Sequence, residues 1–301
     1  IYLLKMLKID YFGATISILS VLICLIFSGS VENSIGLVLI LSVGIIHGAN
    51  DLLIIKNVSG KTSKNDYIKS FILYIFVVFL GILLFYTFPK LAIHLFVLIS
   101  IFHFGEQYWE SKGIAKYNNK WFLSVFLPYI LHGILVFNLI FLNNLIDVNF
   151  ILEKFTISEL SENFLNNTLI IVSSFYLLSI VLNSSIRIHF FNEILFFGLL
   201  YIITKNSTLL FSFAFYFAFF HSVLSMNDQI KFIYGNISYG NIKKYILFAS
   251  PYFILALIFL YVLYNNFNIY SDQFLPIFFS FLAAITFPHV FVIEKMYNKM
   301  K

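Results

Sequence analysis

The sequence predicts an all-α fold: a polytopic transmembrane helical bundle of about ten spans, both termini cytoplasmic, in a single integral-membrane domain over 1–301. Three observations predict it. Of the 301 residues, 60% are hydrophobic and 11% charged, and the mean hydropathy is +0.92. A soluble domain carries roughly 25% charged residues, so these charges are too few to coat a soluble globule. The apolar residues also come in long runs, each near the roughly 20 residues a helix needs to cross a bilayer. Finally, the basic residues gather at alternate ends of those runs, as cytoplasmic loops require.

The runs cover about 12–29, 34–55, 70–88, 90–109, 121–143, 166–183, 188–204, 207–226, 245–264 and 274–293. None alternates in polarity over about ten residues, which argues against β-barrel strands. The first run has the length of a signal-peptide core. No small-residue cleavage site clearly follows it and further spans do, so it is read as a helix. Only "NSSIR" separates the sixth run from the seventh. The single Cys24 cannot form an internal disulfide, and no CxxC or Cys/His zinc pattern occurs. The net charge of +5 is scattered over short loops, which speaks against a nucleic-acid partner and for membrane topology. Phe (39) and Tyr (19) are abundant alongside Ile, Asn and Lys, as in an AT-rich genome, so aromatic richness alone does not point to a binding tunnel.

With the N-terminus and its Lys5 and Lys8 placed inside, the even-numbered helices run from outside to inside. The inner loops then hold Lys56, Lys61, Lys64 and Lys69; Lys112, Lys116 and Lys120; Arg187; and Lys231, Lys243 and Lys244. The tail adds Lys295, Lys299 and Lys301, and of 19 basic residues only Lys90, Lys154 and Lys205 fall outside. The outer loop at about 144–165 carries Asp147, Glu153, Glu159 and Glu162.

Seven histidines remain to be placed: His47, His94, His103, His132, His189, His221 and His289. A lone membrane histidine most simply bonds across helices and supports packing. Four of these form a pattern. His47, His103, His221 and His289 lie on the second, fourth, eighth and tenth spans, which all run in one direction. They precede Lys56, Lys112, Lys231 and Lys295 by nine, nine, ten and six residues. At a rise of about 1.5 Å per residue they share one thin layer near the cytoplasmic end. Neutral imidazoles converging at one depth make a site for iron, copper, zinc or nickel. His94 sits near an outer helix end, His189 at the inner surface, and His132 mid-span as a reserve ligand.

Asp51 follows His47 by four residues and Glu106 follows His103 by three, so each shares a helix face with its histidine. Such carboxylates hold the second ring N–H of a ligating histidine or ligate directly. The alternative is that both approach the surface and are solvated, above all Glu106, because "EQYWESKG" reads as leaving the membrane. Asp228 is placed in an inner loop. Gly44, Gly48 and Gly105 permit close helix approach. Pro288 kinks the last span and re-aims His289. Asn50 has no assigned role.

The stretches "GIIHGANDLL" (44–53), "SIFHFGEQYW" (100–109), "FAFYFAFFHSVLSM" (213–226) and "ITFPHVFVIEK" (285–295) together resemble the Brp/Blh family of bacterial and archaeal membrane proteins, the beta-carotene 15,15′-dioxygenases. They occur in the family's order and span nearly the whole chain. The resemblance implies a multi-pass enzyme of a bacterial or archaeal cell membrane. It would hold non-haem Fe(II) and split beta-carotene at its central double bond with O2, giving two retinals. Its partners would be the lipid-soluble carotenoid, O2, membrane lipid and a retinal-binding rhodopsin as downstream recipient. On this reading His47, His103, His221 and His289 bind the metal and Asp51 and Glu106 assist them. Phe102, Phe104, Tyr108, Phe217 and Phe220 are candidates to line a substrate tunnel opening to the bilayer. One position departs from the pattern: many members carry a second histidine one turn into the third motif, where this chain has Ser225.

Two other classes remain open at this stage. A relative with an altered apolar substrate or lost catalysis would account for Ser225. A transporter would use intramembrane histidines as a proton or metal path; His94 and His132 fit it best, but most outer half-spans lack acids. A lipid desaturase would need clustered H-x-x-H-H or H-x-x-x-H boxes, which are absent.

Overall fold

A computed structural model describes residues 11–27, 29–60, 63–113, 122–266 and 274–300. Lys5, Lys8, Lys61, Lys116, Lys120 and Lys301, which entered the charge pattern, lie outside the described residues, as do Ser28 and Trp121 at the edges of two predicted spans.

The helices in chain order are α1 (Tyr11–Ile26), α2 (Ser30–Leu39), α3 (Ile45–Gly48), α4 (Asp51–Ser59), α5 (Lys64–Thr87), α6 (Pro89–Ser111) and α7 (Phe122–Asn143). After them come α8 (Leu145–Lys154), α9 (Glu162–Leu182), α10 (Ser184–Arg187), α11 (Phe190–Lys205), α12 (Leu209–Phe215), α13 (Val223–Tyr234), α14 (Tyr239–Asn266) and α15 (Phe274–Met300). Among the described residues two π-helical segments interrupt the series, Ile40–Gly44 before α3 and Tyr216–Ser222 before α13. No strand occurs among the described residues.

A helix overlies each predicted run. Among the described residues eight are long and apolar enough to cross a membrane: Ser30–Ser59, Asn65–Thr87, Pro89–Ser111, Phe126–Asn143, Glu162–Leu182, Leu209–Tyr234, Tyr239–Val262 and Pro276–Met300. The first and seventh runs form the shorter α1 and α11, of 16 residues each. The sequence predicts an outer loop over 144–165. That segment contains α8 instead, because Val148 and Ile151 give one face an apolar stripe and are buried, as is Phe155 just past its end. Asn149 then fastens the return of the chain, donating from Nδ2 to the Leu160 carbonyl (3.1 Å) and accepting from the Leu160 N–H (2.9 Å).

Helix starts follow the side chains that can satisfy orphan N–H groups. Ser63 caps α5 by accepting from the Asp66 N–H, and Ser161 caps α9 by accepting from that of Phe164. Thr208 caps α12, while its own N–H donates 3.0 Å to Glu32 Oε2 on α2. Gly60 closes α4 at φ +66°, where a side chain would be strained.

The chain divides into two compact units. One comprises Ile1–Ile40, Ser100–Phe150 and Ser158–Leu224; the other comprises Leu41–Ile99, Ile151–Ile157 and Ser225–Lys301. In the first unit α9 and α11 pack on α7, α11 on α1, and α12 on α2 and α7. Gly105 and Gly133 set the α6–α7 spacing reciprocally. A Cβ on Gly105 would fall 1.8 Å from the Tyr129 carbonyl oxygen, and one on Gly133 1.9 Å from that of Ile101. In the second unit α15 packs along α4 and α5, with α14 against α3 and α15. Gly81 seats α5 there, 3.2 Å separating its would-be Cβ from the Ala284 Cα.

Several helices keep large apolar side chains exposed: Ile72, Leu73 and Phe76 on α5, Ile170, Phe175 and Leu182 on α9, and Leu247, Ile254 and Ile258 on α14. Water would penalise such faces, whereas lipid matches them. The protein is a polytopic helical membrane protein.

Candidate metal centre

The second unit holds two of the four histidines. His47 sits on α3 directly after the π segment and is buried. Its ring N–H at Nδ1 donates to the Gly44 carbonyl one turn back. That is the role of Gly44 here, while a Cβ on Gly48 would meet His289 Nδ1 at an ordinary 3.7 Å. The helix then breaks at Asn50, whose Nδ2 donates to the Tyr245 carbonyl on α14 at 3.1 Å. Asn50 thus has a role that sequence reasoning left blank: it ties the break to a neighbouring helix. The Tyr245 hydroxyl lies 2.7 Å from Gln229 Oε1 and 3.2 Å from the His47 carbonyl oxygen, the shorter contact taking its one proton.

The break re-aims the chain so that Asp51 starts α4 facing α15. Its Oδ1 accepts from His289 Nδ1 at 2.8 Å, and its Oδ2 accepts from the Tyr74 hydroxyl at 2.8 Å. The rings of His47 and His289 meet edge to face, with centroids 4.7 Å apart. In both rings a hydrogen bond at Nδ1 places the proton there and makes Nε2 the lone-pair nitrogen. Pro288 lies inside an uninterrupted α15.

The first unit holds the other two. His103 on α6 and His221 in the π segment Tyr216–Ser222 are buried, and their rings meet edge to face at 4.9 Å. Phe217 stacks on His221 at 5.5 Å and Phe104 lies 4.7 Å from it. Each histidine pair therefore stands next to or inside a π segment, a distortion that recurs at functional sites. Hydrophobic periodicity alone does not reveal it.

Other predicted residues fall elsewhere. Glu106 is buried, and so are Gln107, Tyr108 and Trp109. The segment "EQYWESKG" does not leave the bundle at Glu106, because α6 continues to Ser111. Asp228 is not in a loop but on α13, buried and accepting from the Tyr297 hydroxyl at 3.0 Å. Phe102 packs on Phe126 and Tyr129. Phe220 packs on Phe196 and Phe215. Tyr108 stacks on His132 at 4.0 Å. His132 itself has both ring nitrogens engaged, Nδ1 with the Tyr176 hydroxyl (3.1 Å) and Nε2 with that of Tyr216 (3.2 Å). His94 is exposed and bonds the Lys90 carbonyl.

Ser225, where the resemblance expects a histidine, is fully buried in the second unit. Its Oγ accepts from Gln229 Nε2 at 3.0 Å, extending the Gln229–Tyr245 chain.

The donor chemistry fits a divalent transition metal. Each of the buried His47, His221 and His289 offers a ring nitrogen that could hold an ion. The Asp51–His289 bond is the carboxylate–imidazole contact that fixes a ligating ring's tautomer. Comparison with known families agrees: the family described as beta-carotene 15,15′-dioxygenase matches residues 38–297. The chain belongs to that family. Neither the curated proteins nor the solved structures give a match. His47, His103, His221 and His289 lie within the matched span, as do Asp51, Tyr74 and Ser225. Tyr74 was missed in the sequence because nothing in its helix marks it; only the fold brings it to Asp51.

Proposed function

We propose that this protein cleaves beta-carotene at its central 15,15′ double bond with O2, yielding two retinals, with Fe(II) ligated by His47, His103, His221 and His289. The observation that carries the reading is the family match over 38–297, which spans every proposed ligand. Support for the ligand set comes from each unit by itself: each contributes one edge-to-face histidine pair, buried from water.

Bound iron would supply the O2 chemistry that side chains lack. The chain supplies the rest. Asp51, itself held by Tyr74, keeps the His289 proton on Nδ1. The Gly44 carbonyl does the same for His47. Phe104 and Phe217, in contact with His221, present flat apolar surface to a polyene and keep water away. Phe102, Tyr108 and Phe220 are the residues proposed to line an approach from the bilayer. Glu106 is the carboxylate proposed to assist beside His103. The protein would work in a bacterial or archaeal cell membrane, take its carotenoid from lipid, and pass retinal to a rhodopsin.

The test is expression in bacteria that accumulate beta-carotene. Loss of orange colour with appearance of retinal is expected. Unchanged pigment despite confirmed membrane expression would rule out the activity.

A further inference from the structure

A second polar cluster lies in the first unit, and the metal reading makes no use of it. Glu193 on α11 is 1% exposed. Its Oε1 accepts from Lys112 Nζ (2.6 Å) and the Tyr108 hydroxyl (2.7 Å), and its Oε2 accepts from the Tyr176 hydroxyl (2.7 Å). Ionisable groups inside a membrane bundle are costly and usually functional.

The proton positions follow by elimination. Tyr176 has one hydroxyl proton, and Glu193 takes it. The His132 Nδ1 contact to the Tyr176 oxygen must therefore be a donation by the ring. A neutral imidazole has one N–H, so Nε2 carries the lone pair and accepts the Tyr216 O–H at 3.2 Å. Tyr216 thus aims its phenolic proton at a base inside a fully buried aromatic shell. That is the arrangement a phenol needs to lose an electron and a proton together. The Phe104 ring touches both Tyr216 (5.2 Å) and His221 (4.7 Å), so electron transfer from Tyr216 toward His221 crosses one intervening ring.

We propose that Tyr216 and His132 form a redox-active pair that accepts one oxidising equivalent when O2 reacts in this protein without carotenoid. Tyr216 gives one electron to the O2-derived one-electron oxidant, which is reduced. The phenolic O–H bond breaks, and its proton forms an N–H bond at His132 Nε2. The products are a neutral phenoxyl radical and an imidazolium, whose charge faces Glu193 Oε2 at 3.8 Å from Nδ1. Lys112 balances the carboxylate before the event. The oxidising equivalent is thereby held away from the histidines proposed as ligands. The proposal rests on the reading that O2 is handled at His221.

The test uses the full chain in detergent. In the metal-free protein, a photoexcited membrane-soluble quinone serves as the one-electron oxidant, with freeze-trapping and electron paramagnetic resonance. A tyrosyl signal is expected, lost in Tyr216→Phe and lost in His132→Phe, which keeps the phenol but removes its proton acceptor. The iron-loaded protein exposed to O2 without carotenoid is expected to give the same signal. A signal that is absent in either arm, or that survives in a Tyr216→Phe or His132→Phe protein with normal melting, overturns the proposal. The quinone arm needs neither metal nor turnover, so failure to make retinal leaves it standing as a separate result.

Discussion

The Nδ1 of His289 lies 2.8 Å from Asp51 Oδ1, joining α15 to the first residue of α4 across 238 positions of sequence. Tyr74 completes the contact by donating to the other oxygen of the same carboxylate. Removing a partner that orients a ligating imidazole typically weakens metal binding by about 10–100-fold. Asp51→Asn is expected to lose that much affinity for Fe(II), or for Co(II) as an optical probe, in a titration of the purified protein. Tyr74→Phe should lose less, because Asp51 keeps its contact to His289. Unchanged affinity in Asp51→Asn would show that the contact serves packing alone.

Metal binding should also stabilise the fold, since an ion that binds the folded state shifts unfolding by mass action. Chelation is expected to lower the melting temperature of the wild-type protein. The same treatment should leave the His47→Ala and His289→Ala proteins unmoved.

Lys112, 17% exposed, and the buried Glu193 form a pair at 2.6 Å. Removing the lysine strips the buried Glu193 charge of its counter-ion, at a cost of up to about 3–5 kcal/mol, the figure for a pair buried on both sides. Lys112→Met should therefore destabilise strongly in a reversible denaturant titration. The double variant Lys112→Met, Glu193→Gln should be less damaged than Lys112→Met alone, since no buried charge is left over.

Gly105 has no room for a methyl group, its would-be Cβ falling 1.8 Å from the Tyr129 carbonyl oxygen. Gly105→Ala must push α6 from α7, and overpacking of this kind costs about 1–3 kcal/mol or more. Gly198→Ala, with nothing within 4 Å, is the matched control and should change melting little.

The spans were legible because bilayer thickness imposes a length and a composition on each helix. Thus Pro89–Ser111 and Leu209–Tyr234 overlie the runs drawn at 90–109 and 207–226. The four histidines stood out in the sequence by their shared depth, and all four are buried. The one-turn spacing paired Asp51 with His47, whereas the fold pairs it with His289 and leaves His47 to the Gly44 carbonyl. Four features were not legible. The π segments at Ile40–Gly44 and Tyr216–Ser222 add a residue to a turn without changing the apolar pattern. Tyr74 and Tyr245 reach Asp51 and His47 only through tertiary packing. Glu193 left a sign, an acid within "FFNEILFFGLL", which an intramembrane-charge argument could have flagged. Asp228 was misplaced because hydropathy falls before the helix ends, while hydrogen bonding to Tyr297 keeps it buried.

The central claim is that histidine-bound iron in this protein splits beta-carotene symmetrically. The most direct measurement is the product ratio from purified, Fe(II)-loaded protein given beta-carotene and O2 in detergent. Two retinals formed per beta-carotene consumed, with formation lost in each of His47→Ala, His103→Ala, His221→Ala and His289→Ala, is the expected result. Intact carotene, fragments of unequal length, or undiminished retinal in all four variants would contradict it.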